Sequence, residues 1–161
     1  PDGNMLMTTK RIVGNSTLVD LWDLKGNKKV DTFNLPQHSI IRLLAFSADN
    51  TLLALIPTAT GIYRLINIRT KEEIFSMRGG YTALAFSPDG KTFAFSPTDV
   101  PGGEMIMMPP IYLIDIKSRE IVQELKCDDA PGKEIYQITF SPDGKMIAAS
   151  CTDGSIRTWK K

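Results

Sequence analysis

The phrase Phe-Ser-Pro-Asp-Gly stands twice in this chain, at Phe86–Gly90 and Phe140–Gly144. A near copy, Phe-Ser-Ala-Asp-Asn, occupies Phe46–Asn50, and Pro1-Asp2-Gly3 repeats its tail. The aspartates Asp2, Asp49, Asp89 and Asp143 lie 47, 40 and 54 residues apart. A second series runs in step with the first. Apolar runs close on Trp22, Ile66, Ile114 and Trp159, which are 44, 48 and 45 residues apart. Two interleaved signals sharing one period imply a single supersecondary unit repeated four times, with each unit burying its apolar face against the next.

Each unit reads as short strands separated by turn residues. In the last, Ile135–Phe140 alternates apolar and polar residues, Ser-Pro-Asp-Gly turns, and Lys145–Ser150 follows as a second strand. Thr152-Asp153-Gly154 then turns into a third strand, Ser155–Trp159. Period-two alternation bounded by Gly, Pro and Asp is the hairpin signal. Pro142 presets φ for the first corner of its turn, and Gly144 accepts the positive φ that closes it. Earlier units add a fourth strand at Lys29–Phe33, Glu73–Met77 and Glu120–Leu125. With strands named a to d within a unit, the chain reads bcd, abcd, abcd, abc. No segment carries a sustained helical stripe, so the expected class is all-β, an up-and-down meander.

Phe-Ser-Pro-Asp-Gly-Lys-x-x-Ala followed by Thr-Asp-Gly-Ser-Ile-Arg-Thr-Trp resembles the WD40 repeats of β-propeller proteins. Trp22-Asp23 is similar to the pair that names the family. The resemblance covers essentially the whole chain and implies four-stranded antiparallel blades, about 3.5 of them, or half of a seven-bladed ring. Their expected extents are 1–34 (lacking the first strand), 35–78, 79–126 and 127–161 (lacking the last). Trp22, Asp23, Asp89, Gly90, Asp143, Gly144, Asp153 and Trp159 are the repeat-motif residues it singles out. The family's polar network joins a His in the d–a connection, a strand-b Ser or Thr, a b–c turn Asp and the strand-c Trp. No unit here carries the whole set: Thr60 and Ser16 take the turn-Asp position in two units, and Ile66 replaces a Trp. Such blades are expected to rely more on packing than on buried hydrogen bonds. Open strand edges at both ends imply a piece of a longer protein, or a ring completed by another chain.

Composition narrows the function classes. Nineteen basic residues against eighteen acidic give a net charge of +1, which provides no electrostatic drive toward nucleic acid or an anionic membrane. No apolar run approaches the length of a membrane span. Cys127 and Cys151 form no Cys-x-x-Cys zinc pair or disulfide framework, and reduced thiols fit a cytoplasmic setting. One histidine, His38, leaves no basis for a His-based metal site or a Ser-His-Asp triad. Asp89, Asp143 and Asp153 each precede Gly, where an aspartate bonds local backbone. The chain is therefore expected to be no enzyme, with no catalytic residue, metal, cofactor or small-molecule substrate.

Successive turns of a meander alternate between its two ends, so the b–c and d–a connections share one face. That face carries the longer connections, and the implied function is a scaffold that binds a protein or peptide there. Ser96–Pro110 is the longest, and long connections inside compact domains are often functional. It supplies Asp99, Glu104, Met105, Met107 and Met108, the methionines being adaptable contact groups. Met105–Met108 equally fit an extension of strand c. Arg78 and Tyr81 on the neighbouring d–a connection are hot-spot residue types, and Tyr81 also suits the first position of a strand. His38 completes the candidate set. Two other readings remain: a propeller flanking the catalytic domain of a prolyl oligopeptidase-like hydrolase, or a half-ring that assembles with a copy of itself.

Overall fold

The computed structural model describes residues 3–11, 17–35, 41–57, 62–78, 81–97, 110–126 and 134–161. These residues form fourteen strands and no helix. The first sheet holds β1 (Met5–Arg11), β2 (Thr17–Asp23) and β3 (Lys28–Leu35). The second holds β4 (Ile41–Phe46), β5 (Leu52–Pro57), β6 (Ile62–Asn67) and β7 (Glu73–Arg78). The third holds β8 (Tyr81–Phe86), β9 (Thr92–Pro97), β10 (Ile111–Asp115) and β11 (Glu120–Leu125). The last holds β12 (Ile135–Phe140), β13 (Met146–Cys151) and β14 (Ile156–Lys160). Every sheet is ordered as the chain runs, and every pairing is antiparallel. The meander expected from the turn spacing is the meander observed.

The units also share their irregularities. Where strand c pairs with strand d, the register slips between Leu21 and Trp22, Leu65 and Ile66, and Leu113 and Ile114. Where strand a pairs with strand b, it slips between Ile41 and Leu43, Tyr81 and Ala83, and Ile135 and Gln137. A bulge adds twist to the strand that carries it. The two middle sheets carry both irregularities, and the first and last carry one each, so the same local distortion recurs from sheet to sheet.

They nest through three apolar seams. Val19 and Leu21 of the first sheet meet Leu53, Leu55, Ile66 and Ile68 of the second. Leu52, Ala54, Tyr63 and Leu65 then meet Phe93, Phe95 and Ile114 of the third. Ala83, Ala94, Ile111 and Leu113 meet Ile135, Ile138, Ile147 and Ala149 of the last. Strands β5, β6, β9 and β10 thus send side chains to opposite neighbours, and β9 is buried along its whole length. The inner strands β4, β8 and β12 run beside one another. In the sheets that hold them, the later strands follow outward in chain order.

Candidate functional site

The turns at one end of the blades are built alike. In the β8–β9 hairpin the Ser87 amide donates to the Thr92 carbonyl at 2.9 Å, and the Gly90 amide to the Ser87 carbonyl at 3.0 Å. The Thr92 amide donates to Ser87 Oγ at 2.9 Å, and Ser87 Oγ donates to Asp89 Oδ1 at 2.5 Å. Asp89 Oδ1 also accepts from the Lys91 amide at 3.0 Å. Ser141 and Asp143 repeat the arrangement with Lys145 and Met146, and Ser47 and Asp49 with Thr51 and Leu52. Gly90 and Gly144 close their turns at φ +68° and +71°. Asn50 does so at 57°, a conformation asparagine tolerates better than most residues. The three aspartates are turn braces.

That bracing depends on their ionisation. The Ser87 hydroxyl and Lys91 amide hold Asp89 below the ordinary value of 3.8, over an opposing push from burial. The Ser141 hydroxyl and Lys145 amide do the same to Asp143. At Asp49 burial pushes upward, but the bonds from Ser47 and Thr51 outweigh it. Groups depressed in the fold bind fewer protons there than in the unfolded chain, so they stabilise it above their unfolded value. Their contribution is expected to be constant from neutral pH down to about pH 5, and lost as pH falls through 4 and below. Urea midpoints measured across that range should show the fall, with a smaller acid-side loss for Asp89→Asn.

The c–d turns lie at the same end. Asp23, Asn67 and Asp115 each cap one, Oδ1 accepting from the Lys25, Arg69 and Ser118 amides at 3.0, 2.9 and 2.7 Å. Asn27, Lys71 and Arg119 close them at positive φ. Asp23, half of the Trp-Asp pair, is therefore a turn cap here. Two c–d turns reach back to the preceding blade: Lys71 pairs with Asp31, and Arg119 with Glu72 at 3.7 Å. Sequence reading missed this lattice, although a visible signal was there. The triplets Asp23-Leu24-Lys25, Asn67-Ile68-Arg69 and Asp115-Ile116-Lys117 repeat an Asp or Asn, an aliphatic residue and a cation.

The two tryptophans find different partners. Trp22 Nε1 donates to Thr8 Oγ1 on β1 at 2.9 Å, which is the strand-b to strand-c link that the family resemblance implied. In the last blade Ala149 stands in the place of Thr8, and Trp159 Nε1 turns to the Lys126 carbonyl of the preceding blade at 3.3 Å. Leu55 and Phe95 fill that place in the middle blades, both fully buried. Apolar packing has replaced the polar link there. Asp153 braces its own turn, accepting from the Ser155 amide and hydroxyl at 2.9 and 2.6 Å.

At the opposite end, Arg78 closes β7 and Tyr81 opens β8, so Tyr81 does begin a strand. His38, Asp99, Glu104, Met105, Met107 and Met108 lie outside the described residues. Residues 98–110 separate β9 from β10, whereas 152–155 suffice between β13 and β14. Where the inner strands meet, a cleft of ≈ 330 Å³ is lined by Ala45, Ala83, Leu84, Tyr136, Gln137, Ile138 and Ser150. None of these described lining residues is charged. Among the described residues no three His, Cys, Asp or Glu side chains gather to hold a metal, and no helix is long and apolar enough to cross a membrane.

Two comparisons with known proteins agree with this architecture. Residues 120–160, which run from β11 to β14, match the WD40 family, described as WD domain, G-beta repeat. The chain is also 25% identical over 142 residues to the WD repeat-containing protein SL1-17 of Schistosoma mansoni. The match covers 86% of this chain and 42% of that protein, so the chain spans less than half the relative's length. Together with four antiparallel sheets on one plan, the matched repeat and the WD-repeat relative support a likeness to the WD40-repeat family.

Proposed function

We infer that this chain is a non-catalytic interaction platform of the WD40 type, binding a protein or peptide at the face made by its b–c and d–a connections. The observation that carries the reading is the length asymmetry of those connections. Residues 98–110 span one b–c link where four residues, 152–155, span its counterpart. Hairpins braced by serine and aspartate hold the blades rigid, so the long link is displayed from a fixed base and little ordering entropy opposes association. In this reading Arg78 and Tyr81 flank the contact, Asp99 and Glu104 set its charge, and Met105, Met107 and Met108 supply adaptable apolar surface. His38, on the preceding d–a connection, joins the candidate set in this reading.

The test uses a partner captured by the intact chain. Deleting residues 99–104 and changing Met107 and Met108 to Ser should weaken that partner at least tenfold, read by calorimetry. The β-sheet signature in circular dichroism should persist. Unchanged affinity in a folded variant removes the assignment of this face.

A further inference from the structure

We propose that the outward faces of the first and last blades are the two halves of a contact between copies of this chain, the last blade of one copy docking on the first blade of the other. The assignment rests on repeat-equivalent positions. Three residues before Trp22, Ile66, Ile114 and Trp159 stand Val19, Tyr63, Ile111 and Ile156. The first three are buried in the seam with the following blade, whereas Ile156 is 75% exposed. In strand b, Leu6, Leu53, Phe93 and Ile147 pair with the same four closing residues. The last three are buried in the seam with the preceding blade, whereas Leu6 is 47% exposed.

The two faces are therefore built as halves of one more seam. No seam among the described residues joins the first sheet to the last. The forward face of the last blade also carries Met146 and Ala148, in the places of the buried Leu52 and Ala54. Thr158 takes the place of Leu21, Leu65 and Leu113, and beside Ile156 a groove of ≈ 190 Å³ is lined by Gln137, Thr139, Ala148, Ala149 and Ser150. The first blade supplies the matching bulk. Trp22 stands where Ile66 and Ile114 are buried in their seams, and a large side chain facing a small one keeps a seam filled. Asp20 shares this face, but Lys29 pairs with it at 3.2 Å. Its position is held by half-buried Arg64, Tyr112 and Arg157 in the other blades, so a seam accommodates a polar group there.

Repeat arrays that stand alone end in caps with polar outer faces. The first and last blades instead turn a leucine and an isoleucine to solvent. A second copy brings both missing halves at once, its first blade for Ile156 and its last blade for Leu6. Head-to-tail contacts of this kind generate rings where the rotation closes. Four sheets in each copy make eight in a ring of two, within the four to eight blades that propellers use, and a third copy would exceed that range. The expected product is a dimer held by two identical contacts. It uses the sides of the terminal blades and leaves the b–c and d–a connections free.

Sedimentation velocity of the intact chain at micromolar concentration should show the dimer. Leu6→Asp and Ile156→Asp should each give a monomer, because every contact needs one face of each kind. Mixing the two variants should restore a dimer, weaker than the parent's, since one intact contact remains. Val122→Asp, at an exposed position in the third sheet, should leave the dimer unchanged. If either aspartate variant loses its β signature in circular dichroism, Leu6→Ser and Ile156→Ser read the same faces. By mass action, Leu6→Ala should be nearly neutral to unfolding in the dilute monomer and destabilising only where the parent is dimeric. A folded face variant that stays dimeric, or a mixture that stays monomeric, overturns the proposal. A parent chain that is monomeric throughout the micromolar range also overturns it, and leaves both faces to sheets from another source. Deleting residues 99–104 should leave the dimer intact, so this contact and the loop-face reading fail separately.

Discussion

Phe95→Ala is expected to lower stability by about 3–5 kcal/mol, the range for emptying a buried phenylalanine site. Phe95 is fully buried in the seam between the second and third blades. Its ring lies 5.4 Å from Tyr63 edge-on, 6.2 Å from Phe93 in a stack and 5.6 Å from Tyr112. Hydrogen-bonded ladders stiffen both sheets, so the space left by the ring closes only in part. Urea denaturation should show a lower midpoint with an unchanged slope. Leu6→Ala provides the contrast. Leu6 pairs with Trp22 as Phe93 pairs with Ile114, yet it is 47% exposed, and its loss should cost less than about 1 kcal/mol. A Phe95→Ala cost as small as that of Leu6→Ala would mean the seam does not carry the fold.

The second large effect is expected at Ser87. Ser87→Ala removes the acceptor of the buried Thr92 amide and the hydroxyl donor to Asp89 in one step. A buried donor left without its partner costs about 1–3 kcal/mol. Ser47→Ala should behave alike, because Ser47 is equally buried and makes the same two bonds. Ser141 is more open to solvent, water can replace its hydroxyl, and its alanine variant should lose less. Chemical denaturation of the three variants reads the order directly. Equal losses at all three would show that burial does not set the strength of the brace.

The sequence was most informative where local chemistry dictates geometry. Ser-Pro-Asp-Gly admits few backbone paths, and Ile135–Phe140 before its second copy alternates apolar and polar residues, so class, strand order and turn positions were legible. Glu120–Leu125 and Ile135–Phe140 were read to the residue. The c–d bulges were not legible, because a slip between Leu65 and Ile66 changes no residue type and leaves the apolar pattern intact. The back-pairing of Lys71 with Asp31 was hidden for another reason: forty residues separate partners that only blade stacking brings together. The replacement of the hydroxyl–tryptophan link by Leu55 and Phe95 became visible only once strand register aligned them with Thr8. Site residues were least legible. Tyr81 was legible as a strand start, whereas Arg78, read on the d–a connection, ends β7.

The central claim is that, among the described residues, each blade packs on its neighbours in sequence through seams that repeat. Methyl–methyl nuclear Overhauser contacts in the Ile-, Leu- and Val-labelled chain test it most directly. The account predicts cross-peaks from Val19 and Leu21 to Leu53 and Leu55, and from Ile111 and Leu113 to Ile138 and Ile147. Cross-peaks from Val19 and Leu21 to Ile138 and Ile147 instead, as a folded-over sandwich would give, contradict it.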